Sequence, residues 1–193
     1  MLTDEARRHL LGLARRAVAA RVTSRSLPAV PAFALPRAAG VFVTLKLHGE
    51  LRGCLGTLES AGELAADVVR CAADAASEDP RFPAVTVTEL ADTTLEISVL
   101  APLEAIAPDL LRVGSLDEAL IIGVHGVVVE HGPRRGLLLP QVATEWGWNP
   151  EQFLRHTCVK AGLPPGSWER EALVFRFTAE VFGDGIVRPS SYS

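Results

Sequence analysis

The stretch GVFVTLKLHGELRGCLGTL, residues 40–58, constrains the fold more than any other. Val41, Val43, Leu45 and Leu47 alternate with Phe42, Thr44 and Lys46, the period-two pattern of a strand with one buried face. His48, Gly49 and Glu50 interrupt it, and the pattern resumes at Leu51, so the segment reads as a β-hairpin. A one-residue slip of register would carry the whole apolar set to the opposite face. Parity therefore predicts Leu47 paired with Leu51 across a three-residue turn, His48–Glu50. In that register Cys54 stands opposite Thr44 and diagonal to Lys46, with Arg52 two residues away on the same face.

Cys54 lies between Gly53 and Gly56, and glycine weakens a strand. Two readings account for that. Lys46 and Arg52, within one cross-strand step, would favour the thiolate and lower the cysteine pKa. Backbone N–H groups near Gly53 and Gly56 would then be approachable, as an anion or oxyanion site needs. In the second reading Cys54 is a small residue buried beneath a helix, and the glycines permit close packing.

The remaining pattern alternates without a βαβα rhythm. Thr3, followed by Asp4 and Glu5, predicts a helix start, with Leu10, Leu13, Ala14, Ala17 and Val18 as its buried stripe. Arg7, Arg8, Arg15 and Arg16 lie largely off that stripe and read as a solvated face. SLPAVPAFALP (26–36) holds three prolines and predicts an extended connector. Ser60–Glu63 and Ser115–Glu118 are spaced as capping boxes, each opening a helix, and Asp79-Pro80 stops the first of them. TTLEISVL (93–100) is a strand with Leu95, Ile97 and Val99 on one face. Residues 120–140 contain three apolar runs split by Gly-containing turns, a strand meander. Asn149-Pro150-Glu151-Gln152 starts a helix that ends near Gly162, and Leu173–Val181 forms a last strand. The whole is one domain of the α+β class, with a mostly antiparallel mixed sheet and flanking helices. Residues 183–193 read as a loosely ordered tail.

A net charge of −4 supplies no global field for nucleic acid or an anionic membrane, so both are disfavoured as partners. No apolar run reaches the roughly 20 residues needed to span a bilayer. The N-terminus lacks a signal-peptide core, and three cysteines make no disulfide framework, so the expected location is cytoplasmic. Neither CxxC nor HxxxH occurs, and there is no Walker loop, GxSxG or GxGxxG following a strand; no metal and no cofactor are expected.

Cys71 and Cys158 sit on apolar helical stripes and read as core residues. His125, in a Gly-Val-His-Gly turn, is the best candidate general base. Asp79, Arg81 and Phe82 combine a charge pair with an aromatic, which would fix a loop or clamp a carboxylate or phosphate. Gln141 and Glu145, one helical turn apart, would line one side of that turn. Trp146 and Trp148 are expected to anchor the segment to the core rather than to stack a base.

In order along the chain, GVFVTLKLHGELRGCLGTLES, SEDPRFPAVT, LEISVL, GVHGVVVE, GLLLPQVATEWGWNPEQFLRHTCVKAGLP and FRFTAEVF resemble the AMMECR domain family. Its bacterial and archaeal members are called protein A of the AmmeMemoRadiSam system. The resemblance runs from about residue 3 to residue 182. It implies an α+β fold with a larger and a smaller lobe around a cleft, the Arg-Gly-Cys motif lying near that cleft. It also implies functional weight for Arg52, Gly53, Cys54 and Gly56, for Asp79, Pro80, Arg81 and Phe82, and for Pro140 and Gln141. His125 matches some members only. The implied partners are a Memo-like protein and a radical-SAM protein; this chain carries no iron–sulfur cysteine motif of its own.

Two functions follow as expectations. The first is a small-molecule enzyme: Cys54 as nucleophile or acid/base thiol, Arg52 and Lys46 holding an anionic substrate, and His125 as base. Gly53, Gly56, Asp79, Arg81, Phe82, Gln141 and Glu145 would form the substrate site. The alternative is a non-catalytic scaffold that presents a substrate to the Memo-like or radical-SAM partner, with Cys54 as packing.

Overall fold

Along the chain run α1 (Asp4–Val22), β1 (Gly40–Leu47), β2 (Glu50–Thr57), α2 (Leu64–Ser77), β3 (Thr93–Leu100), β4 (Glu104–Ala105) and α3 (Leu116–Ala119). They are followed by β5 (His125–His131), β6 (Arg134–Leu138), α4 (Pro140–Trp146), α5 (Pro150–Lys160) and β7 (Leu173–Gly183). The computed structural model describes residues 2–30, 35–36, 38–58, 60, 63–111 and 115–184. The fold is α+β, and it divides into two units: residues 2–100 with 180–184, and residues 101–179.

In the first unit β1 lies between β2 and β3, antiparallel to both, and the end of β7 runs beside β3. Val41, Val43, Leu45, Leu95 and Ile97 turn one face of this sheet to α1 and α2, which answer with Leu10, Leu13, Val68, Ala72 and Ala75. Each such buried leucine, isoleucine or valine contributes about 1.5–3 kcal/mol. The Thr3 hydroxyl caps α1 by accepting the Ala6 N–H at 3.2 Å. Of the four arginines expected on its solvated face, Arg8, Arg15 and Arg16 are exposed and Arg7 is half-buried, and two of the four have distant partners. Arg7 pairs with Glu180, and Arg15 pairs with Asp184 and donates to the Thr93 carbonyl at 3.2 Å. Helical periodicity placed them off the core stripe but carried no sign of the distant acids.

The hairpin differs from the parity argument at its turn. The loop has two residues, His48 (φ 52°) and Gly49 (φ 88°), and Leu47 pairs with Glu50. Two positive φ values are what a tight I′ turn demands. The mixing of faces this would cause is undone by a bulge. Lys46 pairs with Leu51 and Leu45 with Gly53, so Arg52 is the extra residue and Thr44 still faces Cys54.

The capping boxes at Ser60 and Ser115 also differ. α2 begins at Leu64, and the Ser60 hydroxyl donates to buried Asp67 at 2.7 Å; Ala61 and Gly62 lie outside the described residues. Ser115 sits at φ −113°, ψ −2°, not extended, and its side chain makes no cap bond. Of the proline-rich connector, residues 31–34 lie outside the described residues, and the described remainder of 26–36 carries no helix or strand. At the other end β7 continues through Gly183, and the Asp184 carboxylate accepts the Leu95 N–H at 2.6 Å. The rest of the expected tail, 185–193, lies outside the described residues.

In the second unit β4 and β5 pair with opposite edges of β7, both meeting it at Arg176, and β6 pairs with β5. α5 packs on β5 and β6. Gly136 allows this, since a Cβ there would press on the α5 backbone at Thr157 and Ala161. Asn149 and Gln152 form the reciprocal cap that their spacing predicts. The stretch 120–140 holds two strands rather than three: Leu120–Val124 is a turn, closed by the His125 N–H on the Ile121 carbonyl at 2.9 Å. Trp148 packs against this core, but Trp146 does not; it is 70% exposed at the end of α4. Trp148 stacks between Trp146 (6.0 Å) and the His156 ring (3.9 Å).

Candidate functional site

α2 ends at Ser77, and the chain turns over Asp79–Phe82 with the Phe82 N–H on the Asp79 carbonyl at 3.1 Å. That turn aims the Asp79 carboxylate inward, where its side chain is 2% exposed. Oδ2 accepts the Cys54 backbone N–H at 2.8 Å and Arg81 Nη2 at 2.7 Å; Oδ1 accepts the Arg81 N–H at 3.1 Å and Nε at 2.9 Å. The Arg81 guanidinium, followed by the backbone N–H groups of Cys54 and Arg81, holds the Asp79 carboxyl far below the usual carboxylate range, against its burial. One buried carboxylate thus joins the Arg-Gly-Cys and Asp-Pro-Arg-Phe segments.

Cys54 is half-buried, and its sulfur accepts a hydrogen bond from the Thr44 hydroxyl at 3.3 Å. Arg81 lies over the Phe82 ring, 5.4 Å from guanidinium carbon to ring centre, and reaches to 3.5 Å from the Cys54 carbonyl. Its Nη1 takes no part in the Asp79 bonds, and the side chain is 55% exposed. Both other thiols are buried. Burial pushes the Cys71 thiol up to about 11 and raises that of Cys158.

Lys46 and Arg52 have partners of their own. Lys46 pairs with Glu96 at 3.0 Å. Arg52 donates to both Glu89 oxygens (2.8 and 3.2 Å) and to the carbonyls of Pro83 and Ala84 (2.7 and 3.2 Å). Glu89 also accepts the N–H and hydroxyl of Thr86, and Arg52, then Thr86, bring its carboxyl down to about 2. Arg52 therefore ties the 83–89 loop to the strand. Glu89 and Glu96 were not singled out from the sequence, although Thr86-Val-Thr-Glu89 has capping-box spacing and does form one.

The glycines serve packing. A Cβ on Gly53 would overlap the Ala75 carbonyl of α2, and one on Gly56 the Phe42 ring and the Val41 carbonyl. The Cys54 N–H, which lies between them in sequence, is taken by Asp79.

The other three candidates belong to the second unit. His125 Nδ1 accepts the Ile121 N–H at 3.0 Å, which fixes the neutral ring as the Nε2–H tautomer. Burial and then Arg176 lower its pKa, with Glu104 opposing. Gln141 is half-buried in the first turn of α4, and Glu145 is exposed on the next. Among the described residues there is no group of three His, Cys, Asp or Glu side chains placed to hold a metal ion, and no helix long and apolar enough to cross a membrane.

A protein with these joined motifs on this fold has relatives. The sequence pattern of the AMMECR1 family matches residues 11–182, and the chain belongs to that family. A protein of Methanothermobacter thermautotrophicus is 49% identical over 147 residues, covering 74% of each chain. Another, of Thermococcus onnurineus, is 41% identical over 94% of this chain and 91% of its own. The crystal structure of the uncharacterized protein PH0010 from Pyrococcus horikoshii superposes with a TM-score of 0.85 at 37% identity, covering 95% of this chain and 94% of that one.

Proposed function

We propose that this protein is a small-molecule enzyme that uses the Cys54 thiol, with Arg81 holding an anionic group of the substrate. The observation that supports the reading most is the shared carboxylate. Asp79 fixes the backbone of a half-buried thiol and, through its other bonds, orients a guanidinium that remains more than half exposed. A nucleophile and an anion clamp held by one rigid group keep their spacing, which is what positioning a substrate requires. All three cations near Cys54 are paired with a carboxylate, and Arg81 takes the anion-holding part in place of Arg52 and Lys46 because it is the most exposed of them, at 55% against 12% and 38%, and keeps its Nη1 outside the pair with Asp79.

The test is alkylation of the native protein from pH 5 to 9, with each cysteine resolved by peptide mass spectrometry. Under this reading Cys54 reacts while Cys71 and Cys158 stay protected, and Arg81→Ala slows an anionic alkylating agent such as iodoacetate more than neutral iodoacetamide. A Cys54 as inert as the other two would sink it.

A second reading has its own support in the exposure of Pro80, Arg81 and Pro83. Here the Asp-Pro-Arg-Phe-Pro turn is a docking surface for a Memo-like or radical-SAM protein, and Cys54 is packing. Under it Arg81→Ala abolishes partner binding while Cys54→Ala leaves it intact.

A further inference from the structure

Cys54 belongs to a row of side chains that crosses three strands. Thr44 of β1 pairs with it on one side and with Glu96 of β3 on the other, so thiol, hydroxyl and carboxylate follow one another across a single face. Thr44 is 9% exposed, and its hydroxyl donates to the Cys54 sulfur at 3.3 Å. Among the described residues this hydroxyl is the one hydrogen-bond partner of the sulfur. Many cysteine nucleophiles are paired with a histidine base. Here the neighbour is a neutral donor, and a hydrogen bond given to the charged form of an acid favours that form. The donor is also held in place. β1 is bonded to a strand on each edge, and a β-branched side chain has few rotamers open to it.

We infer that Thr44 is a positioning residue for the chemistry of Cys54: its hydroxyl fixes the direction of the sulfur and stabilises it as the thiolate. The inference rests on the reading of Cys54 as the working thiol. The charged groups around the sulfur are tied to one another: Arg52 of β2 to Glu89, Lys46 of β1 to Glu96 of β3, and Arg81 to Asp79 in the turn after α2. Carboxylate, ammonium and guanidinium groups ordinarily titrate outside the range from about pH 5.5 to 9. Cys71 of α2 is pushed up to about 11 by burial. Across that range the Cys54 thiol is therefore the group whose ionisation its own reactivity reports.

The test is the pH–rate profile of Cys54 alkylation by iodoacetamide in the intact chain and in Thr44→Val, Thr44→Ser and Thr44→Ala. Iodoacetamide is neutral, so Arg81 does not attract it. Continued protection of Cys71 and Cys158 marks each variant as folded; should Thr44→Val expose them, Thr44→Ala removes the same hydroxyl with less bulk. Thr44→Val should slow Cys54 about tenfold at pH 6, the worth of one hydrogen bond to a charged group. The deficit should close as the pH rises, because a thiolate that forms less readily is no weaker a nucleophile once formed. Thr44→Ser should restore the parent's profile. A deficit equal at every pH is what a merely steric role gives, and it would overturn the inference. So would a Thr44→Val profile that matches the parent's, or a Thr44→Ser as slow as Thr44→Val. In each of those cases Cys54 still reacts in the parent, and the enzyme reading stands. A Cys54 inert in the parent itself removes both.

Discussion

The Asp79 carboxylate holds the Cys54 backbone N–H at 2.8 Å, across 25 residues of sequence, and the same two oxygens take three bonds from Arg81. Neither motif keeps its geometry without the other. The strand supplies Cys54, the turn supplies the acid, and the acid sets the direction of the arginine.

Asp79→Asn keeps the shape of the side chain but removes its charge and one acceptor oxygen. A buried donor then loses its partner, and the expected loss of stability is about 2–3 kcal/mol in urea unfolding. The Cys54 amide should lose hydrogen-exchange protection in the same variant, while the amides of β5 keep theirs.

Acid should weaken the protein through the same group and one other. Asp79 and Glu89 both lie below their ordinary values of 3.8 and 4.5, Glu89 at about 2. A carboxylate depressed in the folded state stabilises above its unfolded value, and that stability is lost as pH falls through the folded one. Unfolding free energy should therefore be flat in these two groups above about pH 5 and drop as the pH falls below about 4.5. The drop should be shallower in Asp79→Asn, and a slope unchanged by that substitution would refute the assignment.

Arg52 and Lys46 are both basic residues near Cys54, yet their replacement should cost different amounts. The Arg52 side chain is 12% exposed and makes four bonds to the 83–89 loop, so Arg52→Ala should lose about 2 kcal/mol and open that loop to protease. The Lys46–Glu96 pair is more exposed, and Lys46→Met should stay within about 1 kcal/mol of the parent. Thermal unfolding of the two variants side by side decides it.

Gly53→Ala puts a methyl group onto the Ala75 carbonyl, a backbone atom with no rotamer to escape into. α2 must move off the sheet, at a cost of at least about 2 kcal/mol. A melting temperature equal to the parent's would show that the helix has room to yield.

His125 should be the Nε2–H tautomer in ¹H–¹⁵N spectra and titrate below its ordinary 6.5. The sign follows from the lowered value: the folded state binds fewer protons, so this group's contribution is full above about pH 6.5 and falls as the medium becomes more acidic. A midpoint above 6.5 would contradict the half-buried placement beside Arg176.

Much of this was legible in the chain itself, for identifiable reasons. The strand Thr93–Leu100 and the Asn149 cap are local patterns, and local patterns survive folding. The pairing of Thr44 with Cys54 came from parity alone, even though the turn did not. Parity assumes that no residue is inserted, and the bulge at Arg52 compensates a loop one residue shorter than parity predicts. What stayed hidden was long-range charge. Glu180 and Asp184 meet Arg7 and Arg15 from the far end of the chain, and nothing in helical spacing announces an acid 169 or 173 residues away. Trp146 failed for a different reason: an aromatic at the end of a short helix reads as core, but the left-handed Gly147 turns the chain just past it and leaves the ring outside.

The last strand carries an implication for how the protein is made. Residues 173–179 of β7 belong to one unit and residues 180–183 to the other, where Phe182 enters the core and Glu180 accepts the Leu2 N–H at 2.8 Å. A ribosome delivers the first 100 residues early, yet their core lacks its closing piece until the second unit has been synthesised in full. The N-terminal part therefore stays incomplete, with apolar surface open, until residues 180–183 have been made, and its first 100 residues alone do not close its core.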